Sequence, residues 1–77
     1  MTTELTMPKL GEVMEEGLVL SWKKKVGDPV QQGEIILEIE TDKAAADVES
    51  PVTGVLLKIL VSENQKVPVN TPLAVIG

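Results

Sequence analysis

The sequence contains no cysteine, no histidine and no arginine, and its only aromatic residue is Trp22. No disulfide can form, and both a thiolate or imidazole metal site and a histidine-based catalytic triad are excluded. A single aromatic side chain also provides little of the apolar lining that a substrate pocket needs. We therefore expect neither a metal site nor catalytic residues in this chain.

Long apolar runs and basic clusters are scarce as well. No apolar run approaches the ~18 residues that span a membrane, and no charged-then-apolar leader precedes the rest of the sequence. The 77 residues include 12 acidic and 7 basic residues, which gives a net charge of −5. This charge argues against binding to the phosphate backbone of a nucleic acid, because such binding needs clustered basic residues. We expect one small domain over residues 1–77, monomeric in isolation, with no nucleic-acid or membrane partner.

The clearest local pattern is a predicted β-hairpin centred on Asp42 and Lys43. Residues 35–40 and 44–49 alternate with the period of two that marks a half-buried strand. Joined by a two-residue turn, the two strands place three pairs on one face: Thr41–Ala44, Ile39–Ala46 and Leu37–Val48.

The turn residues are unusual for a tight hairpin. Such turns favour Asn-Gly or Asp-Gly, because both central positions need positive φ, and Lys43 has a Cβ that tolerates positive φ poorly. Either the turn is of another type, or Lys43 is kept at a conformational cost. A lysine at a hairpin tip presents its ammonium away from the fold, although most turn lysines are simply solvated.

Short strands separated by turn residues are predicted elsewhere. The pattern indicates a strand over Glu4–Met7, a loop over Lys9–Glu16, a strand over Gly17–Trp22 and a very short strand from Val30. An alternative, helical interpretation, which the glycines of this region disfavour, rests on four apolar residues spaced by four: Met14, Leu18, Trp22 and Val26.

The second half of the sequence repeats the first at an offset of 37, with Gly17, Leu20 and Val30 recurring as Gly54, Leu57 and Val67. We interpret the chain as two copies of about four strands that pack face to face.

Extending the offset makes Gly77 equivalent to Glu40. The termini should therefore lie together at the pole opposite Lys43, and the loop before Gly17 should point toward Lys43.

The stretch Glu40-Thr41-Asp42-Lys43-Ala44 resembles the modification motif of lipoyl domains, which belong to the acyltransferase components of 2-oxo acid dehydrogenase complexes. The resemblance extends over nearly the whole chain, through Met7–Leu10, Glu15–Gly17, Trp22, Lys24–Asp28, Gly33, Ser50–Val52, Gly54–Leu56 and Val67–Val69. It implies an all-β fold: a flattened barrel of two four-stranded antiparallel sheets with a pseudo-twofold axis and the lysine at a hairpin tip.

The resemblance also implies that Lys43 carries lipoate in amide linkage and serves as a swinging arm for acyl groups and electrons, without catalysis of its own. A lipoate ligase or lipoyl transferase would attach the lipoate, and a thiamine-dependent decarboxylase would reductively acylate it. An acyltransferase core would accept the acyl group, and a flavin-containing dihydrolipoamide dehydrogenase would restore the disulfide. The setting implied is a bacterial cytoplasm, which we prefer, or a mitochondrial matrix. The motifs favour pyruvate or acetoin as the source of the acyl group.

By the same resemblance, modification and partner recognition involve Gly27, Glu40, Thr41, Asp42 and Ala44, together with the loop residues Leu10, Gly11, Glu12, Val13, Met14, Glu15 and Glu16. The acidic side chains near Lys43 are Glu38, Glu40, Asp42, Asp47 and Glu49. They have two interpretations: a solubilising surface, or a recognition patch for the ligase and the decarboxylase.

Three other interpretations stay open. A biotinyl carrier has methionine on both sides of its lysine, where this chain has Asp42 and Ala44. An unmodified interaction module with the same barrel would not need an intact motif. A stand-alone carrier such as the glycine-cleavage shuttle protein is longer and contains helices that this pattern lacks.

Exchanging Asp42 and Lys43 tests whether a ligase reads the position of the lysine or only its exposure. The exchange keeps composition and net charge but re-aims the amine, because successive side chains of a turn point in different directions. We expect a large loss of lipoylation by mass spectrometry, with little change in the free energy of unfolding. Equal modification of the exchanged and native chains would show that exposure alone is enough.

Overall fold

The chain folds into two four-stranded antiparallel sheets. The structure, a computed structural model, describes residues 2–9, 15–41 and 44–77. These residues form eight strands: β1 (Thr3–Thr6), β2 (Glu16–Trp22), β3 (Pro29–Val30), β4 (Ile35–Glu40), β5 (Ala45–Glu49), β6 (Gly54–Ile59), β7 (Lys66–Pro68) and β8 (Pro72–Ile76). The order is β1-β8-β6-β3 in the first sheet and β5-β4-β2-β7 in the second. The predicted all-β fold of two four-stranded antiparallel sheets is confirmed.

The strand interpretation of the region around Trp22 is also confirmed, and the helical alternative is wrong for its described part. Over the described ranges the chain has no helix of the length and apolar character needed to cross a membrane.

A pseudo-twofold relation links the two sheets. Exchanging β1 with β5, β2 with β6, β3 with β7 and β4 with β8 converts the order of the first sheet into that of the second. The register follows the same exchange, because Val19 pairs with Ile39 in one sheet and Leu56 pairs with Ile76 in the other. An irregularity in the ladder follows both Val19 and Leu56. The predicted repeat is therefore present in the backbone pairing itself.

Two symmetry-related turns show what the repeat retains. Gly27 has a φ of 95°, and its N–H donates to the carbonyl oxygen of Leu56 at 2.7 Å. Its equivalent Asn64 has a φ of 68° and donates to the carbonyl oxygen of Val19 at 2.7 Å. Glycine, and next to it asparagine, adopts positive φ at the lowest cost. The backbone conformation is repeated even though the residue is not.

The two copies interlace rather than pack face to face, so that part of the prediction is wrong. Each sheet takes two strands from β1–β4 and two from β5–β8. An alternating strand buries its apolar face equally well in either sheet, so the hydrophobic pattern does not decide which strands pair. Two boundaries also differ from prediction: β1 lies one residue earlier, and Glu16 belongs to β2 rather than to the loop.

The core lies between the inner faces of the two sheets. Its largest fully buried side chains are Met7, Val19, Val30, Ile36, Leu37, Ile39, Leu56, Leu73 and Ile76. In β4 the predicted alternation holds from Leu37 onward, but Ile36 is buried and Ile35 is exposed, because the register shifts between Ile35 and Leu37. Complete burial of a side chain of this size is worth about 1.5–3 kcal/mol relative to exposure.

The chain ends lie side by side. Thr3 pairs with Ile76, and Gly77 exchanges two backbone hydrogen bonds with Val55. A Cβ added to Gly54 would lie 2.6 Å from the carbonyl oxygen of Gly77, so the C-terminal residue packs directly on the start of β6. The predicted meeting of the termini is confirmed for residues 2 and 77, and Met1 lies outside the described residues.

The start of β4 adjoins this end of the molecule, and the far end of β4 points away from it. The N–H of Ser50 donates to the carbonyl oxygen of Glu34, and the short segment after Ser50 leads to Gly54 beside Gly77. Glu40 lies at the other end of β4, about 17 Å further along the strand at ~3.3 Å per residue. The chain ends and the far end of the β4–β5 hairpin are therefore separated, as predicted.

Replacing Gly27 by Asn introduces the residue type of the symmetry-equivalent position, and we expect it to cost little stability. An added Cβ meets no atom within 4 Å, so the cost of substitution comes from the backbone conformation. Gly27→Val should be less stable than Gly27→Asn by about 1–2 kcal/mol, because a β-branched residue resists positive φ. Urea unfolding measures both, with Asn64→Gly as a neutral or stabilising control. Equal free energies for the Asn and Val variants would contradict this explanation.

Candidate functional site

The connection between β4 and β5 differs from the other connections between described strands, because it alone joins neighbours within one sheet. Glu40 pairs with Ala45, so that Thr41 and Ala44 lead into a connection made of Asp42 and Lys43. The predicted register is confirmed at three positions: Leu37–Val48, Glu38–Asp47 and Ile39–Ala46. Asp42 and Lys43 lie outside the described residues, and the hairpin-tip position of the lysine stays a prediction.

Three hydrogen bonds join Thr41 to Ala44, the described residues on either side of this connection. The N–H of Thr41 donates to the carbonyl oxygen of Ala44 at 2.9 Å, and the Thr41 hydroxyl donates to the same oxygen at 3.0 Å. In return, the N–H of Ala44 donates to Thr41 Oγ1 at 3.2 Å. The Thr41 side chain therefore binds both backbone polar groups of Ala44. Threonine hydroxyls offer the backbone this alternative to regular turn bonding.

The strand ends beside the connection are suited to carrying a covalently attached group. Glu40, Ala44 and Ala45 are exposed, and the two alanines carry only methyl side chains. A group that extends from the connection would therefore meet no bulky side chain from Ala44 or Ala45. The described surroundings thus fit an attached cofactor.

β2 brings one flank of the predicted recognition loop to the same end of the molecule. Leu18 pairs with Glu40, and Glu16 lies two residues before Leu18 at the exposed start of the strand. The ammonium of Lys66 lies 3.8 Å from the Glu16 carboxylate. Both side chains are more than half exposed, so this ion pair contributes little stability. Glu16 therefore adjoins the hairpin end, and the direction of the loop relative to Lys43 stays a prediction.

Some site residues lie beyond what the structure describes, and others were missed from the sequence. The loop residues Leu10–Met14 are outside the described ranges. Leu18 and Lys66 were not predicted at this end, because the pairing of β2 with β4 and β7 joins residues far apart in the chain. Thr41 could be recognised in the sequence as part of the motif around Lys43. Its hydrogen bonds to Ala44 could not be recognised there.

Gly27 lies apart from the other predicted recognition residues. Its N–H is bonded to Leu56 in the first sheet, whereas Glu40, Thr41 and Ala44 belong to the hairpin of the second sheet. The positive φ of Gly27 gives it a conformational role that needs no contact with a partner.

The outer face of the hairpin is acidic. Glu38 lies directly opposite Asp47, and like charges in this arrangement are destabilising. The symmetry-equivalent pair is Val75 and Glu4, in which one partner is apolar. The fold therefore does not need two opposed carboxylates at this position.

A perturbed carboxyl lies at the other end of β4. The Lys24 ammonium, 2.8 Å from the Glu34 carboxylate, donates a hydrogen bond to it, and the N–H of Gln31 donates a second. Both bonds favour the ionised form and hold the pKa of Glu34 below its usual value. This ion pair engages Lys24 away from the β4–β5 connection.

Comparison with known proteins places these features in a family context. Residues 3–76 match the Biotin_lipoyl family, described as "Biotin-requiring enzyme". The structure is similar to a solution NMR structure of the lipoyl domain of the 2-oxoglutarate dehydrogenase complex from Azotobacter vinelandii. The two superpose with a TM-score of 0.79 at 31% identity, over 96% of this chain and 94% of that chain.

Two longer bacterial proteins align with the whole of this chain. Identity is 44% over 77 residues with the dihydrolipoyllysine-residue acetyltransferase component of the acetoin cleaving system of Bacillus subtilis (strain 168). Identity is 49% over 78 residues with the dihydrolipoyllysine-residue acetyltransferase component of the pyruvate dehydrogenase complex of Rickettsia prowazekii (strain Madrid E). The alignment covers 19% of each relative, so the chain spans about a fifth of their length.

Proposed function

The chain belongs to the Biotin_lipoyl family and has the fold of a lipoyl domain, and from this premise we propose that it is an acyl and electron carrier whose Lys43 holds lipoate through an amide. The observation that carries the proposal is the singular β4–β5 connection. Among the described strands it alone joins sheet neighbours, and Asp42 and Lys43 are its only residues between Thr41 and Ala44. The other six lysines fall elsewhere in the chain.

The division of labour between cofactor and chain is simple. Lipoate, once attached, supplies a disulfide that takes up an acyl group and two electrons. The chain attaches, holds and presents this group. For attachment, Lys43 Nζ first loses one proton to solvent and becomes a neutral amine. The amine then bonds to the carboxyl carbon of lipoate, which ATP has activated as an adenylate, and releases a second proton. The bond from that carbon to AMP breaks as the amide forms.

The shape of the domain supports delivery by a long arm. An extended lysine with its lipoyl chain reaches very roughly 14 Å by bond lengths. The folded body measures 32 × 21 × 17 Å, so it can stay outside an active site that the arm enters. The chain ends lie away from the exposed residues Glu40 and Ala44, which leaves the arm end free to approach a partner.

The partners follow from the proteins that the chain resembles. Both relatives are acetyltransferase components, one of a pyruvate dehydrogenase complex and one of an acetoin cleaving system. We propose a thiamine-dependent decarboxylase as acyl donor, an acyltransferase core as acceptor and a flavin dihydrolipoamide dehydrogenase as oxidant. A lipoate ligase or lipoyl transferase makes the modification. The bacterial sources of the relatives support a cytoplasmic setting over a mitochondrial matrix.

Biotin is the second candidate for the attached group, because the family name covers both cofactors. The names of the acetyltransferase relatives and the similarity to a solved lipoyl domain favour lipoate. Asp42 and Ala44, which stand where biotinyl carriers have methionine, favour it as well.

Replacing Lys43 by Arg should abolish lipoylation and leave the fold intact. Arginine keeps the positive charge but lacks an amine that can be acylated. After incubation with lipoate, ATP and a lipoate ligase, mass spectrometry should find one lipoyl group on the native chain and none on Lys43→Arg. Lys58→Arg, at an exposed position of β6 in the other sheet, is the matched control and should be modified normally. Surviving modification of Lys43→Arg would overturn the assignment, and a biotinyl adduct in place of a lipoyl one would favour the second candidate.

Replacing Asp47 by Asn separates the two interpretations of the acidic face. Removing one of two opposed carboxylates should raise the free energy of unfolding by about 0.2–1 kcal/mol. We also expect slower reductive acylation of the lipoylated variant by the decarboxylase, measured with a labelled 2-oxo acid, because the face takes part in recognition. Glu4→Gln, at the symmetry-equivalent position, should leave acylation unchanged. A more stable Asp47→Asn domain with native acylation would show that the face only solubilises the domain.

A further inference from the structure

The Thr41 hydroxyl has an unusual place in the hairpin. It donates to the carbonyl oxygen of Ala44 at 3.0 Å and accepts from the N–H of Ala44 at 3.2 Å, in addition to the backbone bond between the two residues at 2.9 Å. One side chain thus holds both backbone polar groups of the residue on the other side of the connection. Thr41 and Ala44 are the residues that flank Asp42 and Lys43 in the sequence.

The connection has no glycine to hold its conformation. Tight two-residue hairpin turns are usually stabilised by Asn-Gly or Asp-Gly, whose glycine adopts positive φ at little cost. Asp42-Lys43 has no such residue, so its intrinsic preference for a tight turn is weak. A constraint at the base of the connection, from Thr41 to Ala44, compensates for that weakness.

We propose that Thr41 is a positioning residue for the modification of Lys43, and that its hydroxyl acts by fixing the backbone of Ala44, the residue that follows the lysine. This inference rests on the proposed lipoylation of Lys43. A ligase must bring the lysine nitrogen within bonding distance of an activated carboxyl carbon, and small losses of alignment reduce such rates strongly. A loosened base should therefore lower the rate of modification.

Stability and modification should respond differently to loss of the hydroxyl. Ala44 is exposed, so water replaces the lost partner of its N–H, and the fold is hardly weakened. The ladder below, which begins with Glu40 and Ala45, remains in place. The effect should therefore appear in the orientation of the connection and in the rate of modification.

Thr53 offers a matched control. Its Oγ1 also accepts a hydrogen bond from a backbone N–H, that of Gln32, at 3.0 Å in an exposed setting. Thr53 belongs to the segment that leads into β6, on the side of the chain ends. Thr53→Val removes a comparable bond without touching the hairpin.

The experiment compares the native domain with Thr41→Val, Thr41→Ser and Thr53→Val. Lipoylation by a lipoate ligase is measured with saturating lipoate and ATP, the domain being the varied substrate. Thr41→Val should lower kcat/KM by about five- to tenfold, the scale of one net hydrogen bond. The loss should fall on kcat with KM unchanged, because the docking surface is intact. Thr41→Ser, which keeps the hydroxyl, and Thr53→Val should behave like the native domain.

Amide hydrogen exchange of the unmodified domains provides a readout that does not depend on the ligase. The Ala44 amide should exchange faster in Thr41→Val than in the native domain or in Thr41→Ser, while urea unfolding stays close to native in all variants. Native kcat in Thr41→Val, or an equal loss in Thr53→Val, would overturn the positioning role. Failure of the native domain to be lipoylated at Lys43 would instead overturn the proposed function, so the two failures are distinguishable.

Discussion

Neither half of this chain can complete its backbone pairing alone, and the rest of the structure depends on that constraint. β8 lies between β1 and β6, and β4 lies between β5 and β2, so each central strand has one neighbour from its own half and one from the other half. Strands with unpaired edges and thin cores are marginal in a domain of this size. Interlacing solves both problems, because one set of long-range pairings closes the two sheets and encloses the common core.

The position of the candidate site follows from this interlacing. Nearly every connection between described strands crosses from one sheet to the other, and the β4–β5 connection is the exception. The pseudo-twofold relation makes the junction of β8 and β1 its equivalent, and there the chain ends occupy the corresponding place. The hairpin end and the chain ends are thereby separated. The same symmetry shows which features the fold does not require, such as the opposed carboxylates of Glu38 and Asp47.

Much of the hairpin could be predicted from the sequence, because its strands are adjacent in the chain and its pairing is local. Alternation placed Ile39 opposite Ala46, and the structure agrees. The motif singled out Lys43, whose structure lies outside the described residues. The hydrogen bonds from the Thr41 side chain to Ala44 could not be predicted, because a hydroxyl that binds a backbone three residues away leaves no periodic signal. Gly27 was grouped with the site by resemblance, yet its positive φ is a property of a turn in the other sheet.

By itself the sequence determined the strand-rich character, the hairpin register and the existence of a repeat, because these depend on periods of two residues and on turn residues close together in the chain. Only the tertiary structure decided that the copies interlace, that β2 pairs with β4 and β7, and that Ile36 rather than Ile35 is buried. The physical reason is that an alternating strand specifies a buried face without specifying a partner. The choice of partner is made by long-range backbone hydrogen bonds and by the shared core, which exist only once both halves of the chain have come together.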